Sequence, residues 1–402
     1  NTIGEAQRLA KIEVIETGQD PTINKLQYAL LGDPAVRLNL PTCQVVIDSI
    51  NGVAVGGDVK PVLKAGAIVR VVGHVEGQDQ FKGIVNLMVR DSEEEITCRM
   101  NEESEVDKAF VFKDRVQTLF QGADSVRAGR FALTFAVPKD MNYSSGSGLM
   151  NLYAVDAERH LIGHGACDDF MVGGSETIVN DSIGPSLFCY LNTPEFENGD
   201  KVNPTPLFVA ELKDMNGINV SGAGIGHDME LVIDGNVATT YRLNDYFRFD
   251  FGSYTKGSLF FNIPELAPGP HKLSFRAWDV FNNSSTTELR FEVASSLTPN
   301  LRHIGVTNNP ARTATTFLIS HDRRGSRMDV TVEVFNTSGR LCWSRVEHGV
   351  STENTYRVDW DLRQNDGTRM QPGIYIYRVK VACDGSKSAS KAQKLIIVGN
   401  KS

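Results

Sequence analysis

The residues with the most obvious chemical potential lie in Gly163-His164-Gly165-Ala166-Cys167-Asp168-Asp169. An imidazole with a thiol is the pair a cysteine peptidase uses: the base takes the thiol proton and the thiolate attacks an acyl carbon. That chemistry also needs an oxyanion hole and a fold that brings both side chains together, and a spacing of three residues supplies neither. The segment reads instead as a turn between Leu161 and Phe170, and no residue of the chain is assigned to catalysis. A second group, Asp214, Asn216, Asn219 and Asp228, collects the carboxylate and amide oxygens that calcium prefers. The EF-hand spacing with its terminal Glu is absent, so the same residues also read as an Asx-rich turn that bonds its own backbone. His227, beside Asp228, reads as a structural side chain. Trp360, Tyr375 and Tyr377 read as core packing and cross-strand pairing, against the alternative of a ring shown on a docking face.

Any such site must be positioned by what surrounds it. Residues 2–11 and 23–31 space apolar side chains at three and four, the helical period. Thr22 is the cap expected for the second helix, and Gly32 with Pro34 ends it. Residues 36–40 read as a short closing strand. Two helices and one strand cannot enclose a core, so residues 1–41 are expected to end a larger α/β domain. Asn1 opens the chain without Met or a signal-like segment, and the chain reads as a fragment.

From residue 43 the period changes to two. Segments 44–48, 67–72, 83–89, 109–112, 129–137 and 149–155 are predicted strands, with Gly, Asn or Asp between most of them. The acidic stretch 91–107 reads as an exposed loop. A β-sandwich is expected over 42–176. A second fits 183–296, with strands at 208–212, 229–234, 257–262, 271–278 and 288–293 and turns at Asp234-Gly235 and Pro268-Gly269. A third fits 303–399, with strands at 315–320, 329–336, 341–346, 355–360, 373–381 and 391–398. Hairpin signals stand at Ser338-Gly339 and Asp366-Gly367. Polar linkers near 175–182 and 295–302 separate the three. The fold class is mainly β, a tail of α/β followed by three antiparallel sandwiches.

Composition narrows the partners. A net charge of -8, with no Lys/Arg cluster interleaved with aromatics, argues against nucleic acid. No apolar run approaches the roughly 18–20 residues of a membrane helix. The 6 cysteines contain no C-x-x-C pair, so structural zinc is not expected. Cys342 and Cys383 both fall in predicted strands, which leaves open either a disulfide or two small buried hydrophobes.

Several motifs carry a family resemblance. Tyr28-Ala-Leu-Leu-Gly-Asp-Pro-Ala-Val-Arg-Leu38 resembles the end of the caspase-like domain of the gingipain family. The Asn308-Asn-Pro-Ala311 and Val334–Arg340 segments, with Trp360-Asp, Asn365-Asp-Gly and Pro372-Gly-Ile-Tyr-Ile-Tyr377, resemble the C-terminal domain of type IX secretion proteins. The last pattern is also similar to the Ig-like domain of flagellar hook-capping proteins. The middle stretch, 216–228 with Leu243-Asn-Asp-Tyr246 and Ala277-Trp-Asp-Val-Phe-Asn-Asn283, resembles the type IX secretion sortases.

That resemblance implies a cell-surface cysteine endopeptidase and transpeptidase, which removes the C-terminal signal domain of exported cargo. A thioester would be resolved by water or by an amine of anionic lipopolysaccharide. It also implies that the sortase keeps its own C-terminal domain and docks with it on an outer-membrane β-barrel. Family peptidases carry their histidine in a Gly-His-Gly setting, but with the cysteine well downstream and inside the caspase-like domain. On this reading the catalytic residues precede Asn1, and this chain supplies spacing and docking. The rival reading is a type IX-secreted adhesin or peptidase cargo whose C-terminal domain is only an export signal.

Overall fold

The computed structural model describes residues 2–23, 27–38, 40–98, 109–141, 146–176, 181–222, 226–294, 297–383 and 388–399. The chain is mainly β. The first helix, Ile3–Thr17, is capped by Thr2, whose hydroxyl accepts the N–H of Glu5, and ends at Gly18 in the left-handed region. It buries none of its residues. Its first turn is tied down by Ile3 N–H to Val36 O and Gly4 N–H to Pro34 O. The second helix expected at 23–31 falls partly outside the described residues; Gln27 is helical and 28–31 is not. The closing strand expected at 36–40 does not form among the described residues, because no extended segment lies alongside 36–38 to pair with it. Leu31 is 96% exposed, and Tyr28, Leu38 and Leu40 are exposed with it.

The next unit is built round strand Cys43–Ile50. Its first two residues pair in parallel with strand Leu161–Cys167, and the rest pair antiparallel with Ile68–Val75 across a bulge between Ile47 and Ser49. One strand thus stitches two ladders into a single 8-stranded sheet. The path ends at Thr118–Val126 and Arg130–Ala136, and the Arg127–Arg130 turn joins these two end strands. The sheet therefore curls round its own core, where Phe120 stacks on Phe135 at 4.9 Å. Sequence reasoning expected two facing sheets here, and a second, three-stranded sheet of Gly146–Ser147, Met171–Ser175 and Val62–Ala65 adds Leu63, Ala65 and Val172 to the same core. Of the expected loop 91–107, residues Glu94–Thr97 pair with Val111–Asp114 as a two-stranded hairpin, and 99–108 lie outside the described residues.

The middle unit has two sheets. One is ordered Ser186–Leu191, Leu207–Lys213, Lys256–Asn262, Phe247–Phe249; the other centres on Gly269–Trp278 between Ser284–Val293 and Glu230–Ile233. Alternating residues of both point inward onto one core, with Phe208 against Phe275 at 5.2 Å. Asp234 and Gly235, both at positive φ, turn the chain after Glu230–Ile233 as the Asp-Gly signal requires.

The last unit packs a three-stranded sheet, Leu301–Val306, Thr315–His321 and Thr355–Trp360, against a four-stranded one. The second runs Leu341–Val350, Arg327–Asn336, Gly373–Cys383, Ala389–Ile397. Phe317, Trp343, Trp360 and Tyr377 meet in its core, where burial pushes the Tyr377 phenol up to about 12. Trp360 donates to Arg363 O and Tyr375 to Gln371 O, which satisfies their polar ends.

Candidate functional site: a carboxylate cluster at the domain junction

The histidine and cysteine of the Gly-His-Gly segment stand on strand Leu161–Cys167, not in the expected turn. The strand pairs with Leu149–Asp156 along its length, Tyr153 opposite His164 and Met150 opposite Cys167. Gly165 is required here, since a Cβ would overlap the carbonyl oxygen of Val45 on the strand beneath. Residues three apart on a strand face opposite ways. His164 is exposed, whereas Cys167 points inward and packs against the core. Burial pushes the Cys167 thiol up, away from the thiolate form. This arrangement cannot run acyl transfer.

The expected calcium group is divided by the fold. Asp214 joins two residues that sequence reasoning did not include, Asp181 and Asp279, and one carboxylate oxygen of each lies within 4.8 Å of the others. Asp279 is fully buried and Asp214 is nearly so. Asp214 Oδ1 accepts the backbone N–H groups of Asn216 and Gly217, the Asx turn that the spacing suggested. Asp279 holds its own loop in the same way, accepting from Phe281 N, Asn283 N and Asn283 Nδ2. Asn216 Nδ2 donates to Asp181 Oδ2 at 2.6 Å and so ties the two ends of the cluster. Burial, opposed by these N–H bonds, raises the carboxyls of Asp214 and Asp279, and the neighbouring Asp181 and Asp214 respectively raise them further.

Asn219 and Asp228 go elsewhere. Asp228 pairs with Arg242 at 3.0 Å; burial raises its carboxyl and Arg242 opposes that rise. Asn219 donates to Asp140, a residue of the preceding unit. His227 Nδ1 also meets Asp140 Oδ2 at 2.7 Å, and Asn282 Nδ2 donates to its Oδ1 at 2.8 Å. One carboxylate with a 7% exposed side chain therefore collects three donors from two loops of the middle unit. Lys139 beside it donates its backbone N–H to Val280 O and sets its ammonium 5.1 Å from the Phe281 ring centroid. Phe120 meets Phe249 at 5.2 Å nearby. The first two β units thus share a built junction, and Asp279 of the acidic cluster opens the same 279–283 loop.

Cys342 and Cys383 do not approach each other. Cys383 lies opposite Met328, while Cys342 follows Leu341, the partner of Phe335. Met328 and Phe335 are seven positions apart on one strand, roughly 23 Å.

No protein-family model and no curated protein matches the chain. Among solved structures it is similar to dimeric latent PorU from Porphyromonas gingivalis, with 34% identity covering 100% of this chain and 38% of that one, at a TM-score of 0.43. It is also similar to SGBP-B from the mixed-linkage glucan utilization locus of Bacteroides ovatus, at 10% identity over 89% of this chain and 71% of that one, with a TM-score of 0.25. A likeness as distant as the second bears on neither fold nor function. This chain spans less than two fifths of the PorU chain, and it is related to PorU in sequence from end to end.

Proposed function

We propose that this chain is the C-terminal part of a type IX secretion sortase. In that role it spaces and docks a cysteine peptidase domain at the cell surface and makes or breaks no bond itself. The observation that carries the reading is the 34% identity to PorU along the whole of this chain. The caspase-like domain would precede residue 41, and the exposed Tyr28, Leu31, Leu38 and Leu40 are the apolar side chains it would cover. The three following units take the Ig-like sandwich role in this scheme. The full-length enzyme would remove the C-terminal signal domain of cargo and pass the cargo to anionic lipopolysaccharide. The last unit would dock on an outer-membrane β-barrel. Its edge strand, Ala389–Ile397, buries Leu395 and Ile397 but leaves Lys391 to Lys394 exposed, and an unpaired edge is a surface for strand addition.

The opposite-facing His164 and Cys167 support a non-catalytic chain. Cys167→Ala in the full-length protein should leave cargo processing at the wild-type rate, measured as release of the cargo signal domain. A folded variant that no longer processes cargo would overturn this reading.

A cation role rests on the three-carboxylate cluster. Calcium, a hard cation that takes carboxylate oxygens, is the ion we propose for Asp181, Asp214 and Asp279. The sign of the pH dependence follows. Carboxyls raised in the folded state add stability that is complete below the ordinary carboxylate range and is lost as pH rises through the raised values. Millimolar calcium should reverse that loss at neutral pH, raising the melting temperature of the middle unit by a few degrees, while Asp279→Asn should abolish the response. An unchanged melting curve in wild type would remove calcium from the account.

A further inference from the structure

Strand Thr315–His321 ends on a buried histidine, from which a short loop leads to Arg327–Asn336. His321 is 1% exposed, and its Nδ1 accepts the backbone N–H of Arg323 at 3.0 Å. That fixes the ring proton on Nε2, which lies 2.9 Å from Ser351 Oγ; the serine hydroxyl in turn donates to Glu353 O. The neutral ring is therefore fully committed, one acceptor and one donor. A second ring proton has no acceptor to face and would oppose the Arg323 N–H.

The same loop packs the last unit against the middle one, beside the Arg302–Glu195 pair. Arg324 sets its guanidinium 4.4 Å from the ring centroid of Phe260 and donates Nε to Thr352 O. Gly325, at a φ of +80°, lies so close to Asn262 that a Cβ would overlap its side-chain amide. Asp322 accepts the N–H of Asn300 in the linker and pairs with the buried Arg323 at 3.1 Å. A cavity of about 200 Å³ between the units is lined by Asp322, Arg323, Leu297, Thr298, Glu195 and Asp200.

We propose that residues 321–326 form an acid-sensitive clasp: protonating His321 breaks its bond from the Arg323 N–H, reorganises the loop and frees the C-terminal unit from the middle unit. The charged groups around the ring agree with this. On its own loop Arg323 opposes a second charge, and Asp322 is already paired with that arginine. The 351–354 segment offers the Ser351 hydroxyl and the Glu353 carbonyl, while the Glu353 carboxylate reaches towards Arg357 at 4.0 Å. Across the sheet the neighbour is Leu301, and Arg302 turns away to Glu195 at 3.0 Å. Burial, then Arg323, hold the imidazole down to about 4. A histidine lowered in the folded state gives stability that is complete above the ordinary histidine range and is lost as pH falls towards that value.

Hydrogen exchange on the whole chain, expressed as amide protection factors at pH 7 and pH 4.5, tests the clasp. Protection at Asn300, Arg323 and Gly325 should fall roughly tenfold or more at the lower pH, while the core strand around Val330 and Val332 keeps its protection. His321→Gln should remove that pH dependence. Arg324→Ala, which leaves the histidine in place, should lower protection of the linker amides at both pH values. Three results would overturn the proposal: pH-independent protection in wild type, the same pH dependence in His321→Gln, or loss of protection across the whole last unit at once.

Discussion

Deleting residues 300–402 from the full-length protein is expected to abolish its recovery with an outer-membrane β-barrel partner from detergent-solubilised membranes. The last unit encloses its own core from Leu301 to Ile397, so its removal leaves the two preceding cores whole. What the deletion exposes includes Phe260 and the neighbourhood of Asn262 under the 321–326 loop, and Glu195, which loses its ion pair with Arg302. The peptidase domain should therefore remain folded, and loss of the partner would report on docking. The docking face we propose is the free edge of Ala389–Ile397. Among the described residues its strand partner is Gly373–Cys383, and segment 309–311 covers the 394–398 end of the other edge through Asn309 to Lys394 O and Ile396 N and Ala311 to Ile396 O and Val398 N, which leaves 389–393 open. Undiminished recovery of the barrel with the truncated protein would move the docking surface to the other two β units.

Replacing Asp140 by alanine should have the largest effect of any single substitution at the junction of the first two β units. Its carboxylate is the common acceptor for Asn219, His227 and Asn282, and its side chain is only 7% exposed. Truncation leaves three part-buried donors without a partner, and each unsatisfied group costs about 1–3 kcal/mol, less where water can enter. We expect a loss of about 3 kcal/mol and a fall of roughly 10 °C in the melting temperature of the joined pair. Asp140→Asn should also destabilise, because its amide turns a donor towards donors. Chemical denaturation with fluorescence from Trp278, whose ring meets His227 at 4.4 Å, reports on this junction directly. A loss below about 1 kcal/mol would show that the Asp140 bonds are not what holds the junction, and would leave that role to contacts such as Phe120 with Phe249 and Lys139 with Val280 and Phe281.

Most strands are readable from period-two alternation because one face of each is buried. Gly373–Cys383 and Arg327–Asn336 alternate buried and partly exposed residues almost without a break, and both are expected within two residues at each end. Thr118–Val126 escapes, because its Gln-Gly-Ala-Asp-Ser run looks like a turn; Gly122 is there to clear the Phe120 ring. Leu161–Cys167 is misread for a related reason. Its glycines signal a turn locally, and only the crossing over Val45 explains them. At the acidic cluster, the Asp214-Met-Asn216 spacing marks a self-bonding turn correctly. Asp181 and Asp279 join it across 33 and 65 positions of chain from Asp214, a proximity no local pattern encodes. Asp279-Val-Phe-Asn-Asn283 repeats the same Asx signal, which was available in the sequence. The N-terminal 40 residues show the opposite case. Helical spacing is present, but a strand at 36–40 needs a neighbour to pair with, and sequence alone does not supply one.

The central claim, that this chain belongs to a sortase that keeps its C-terminal unit, is tested most directly by mass spectrometry of the native protein isolated from the cell surface. If the chain spaces and docks a peptidase, peptides from 303–399 should be recovered in the same molar amount as peptides from 183–296. Loss of everything beyond about residue 300, with the preceding units intact, would contradict the claim and mark the protein as secreted cargo whose last domain is an export signal.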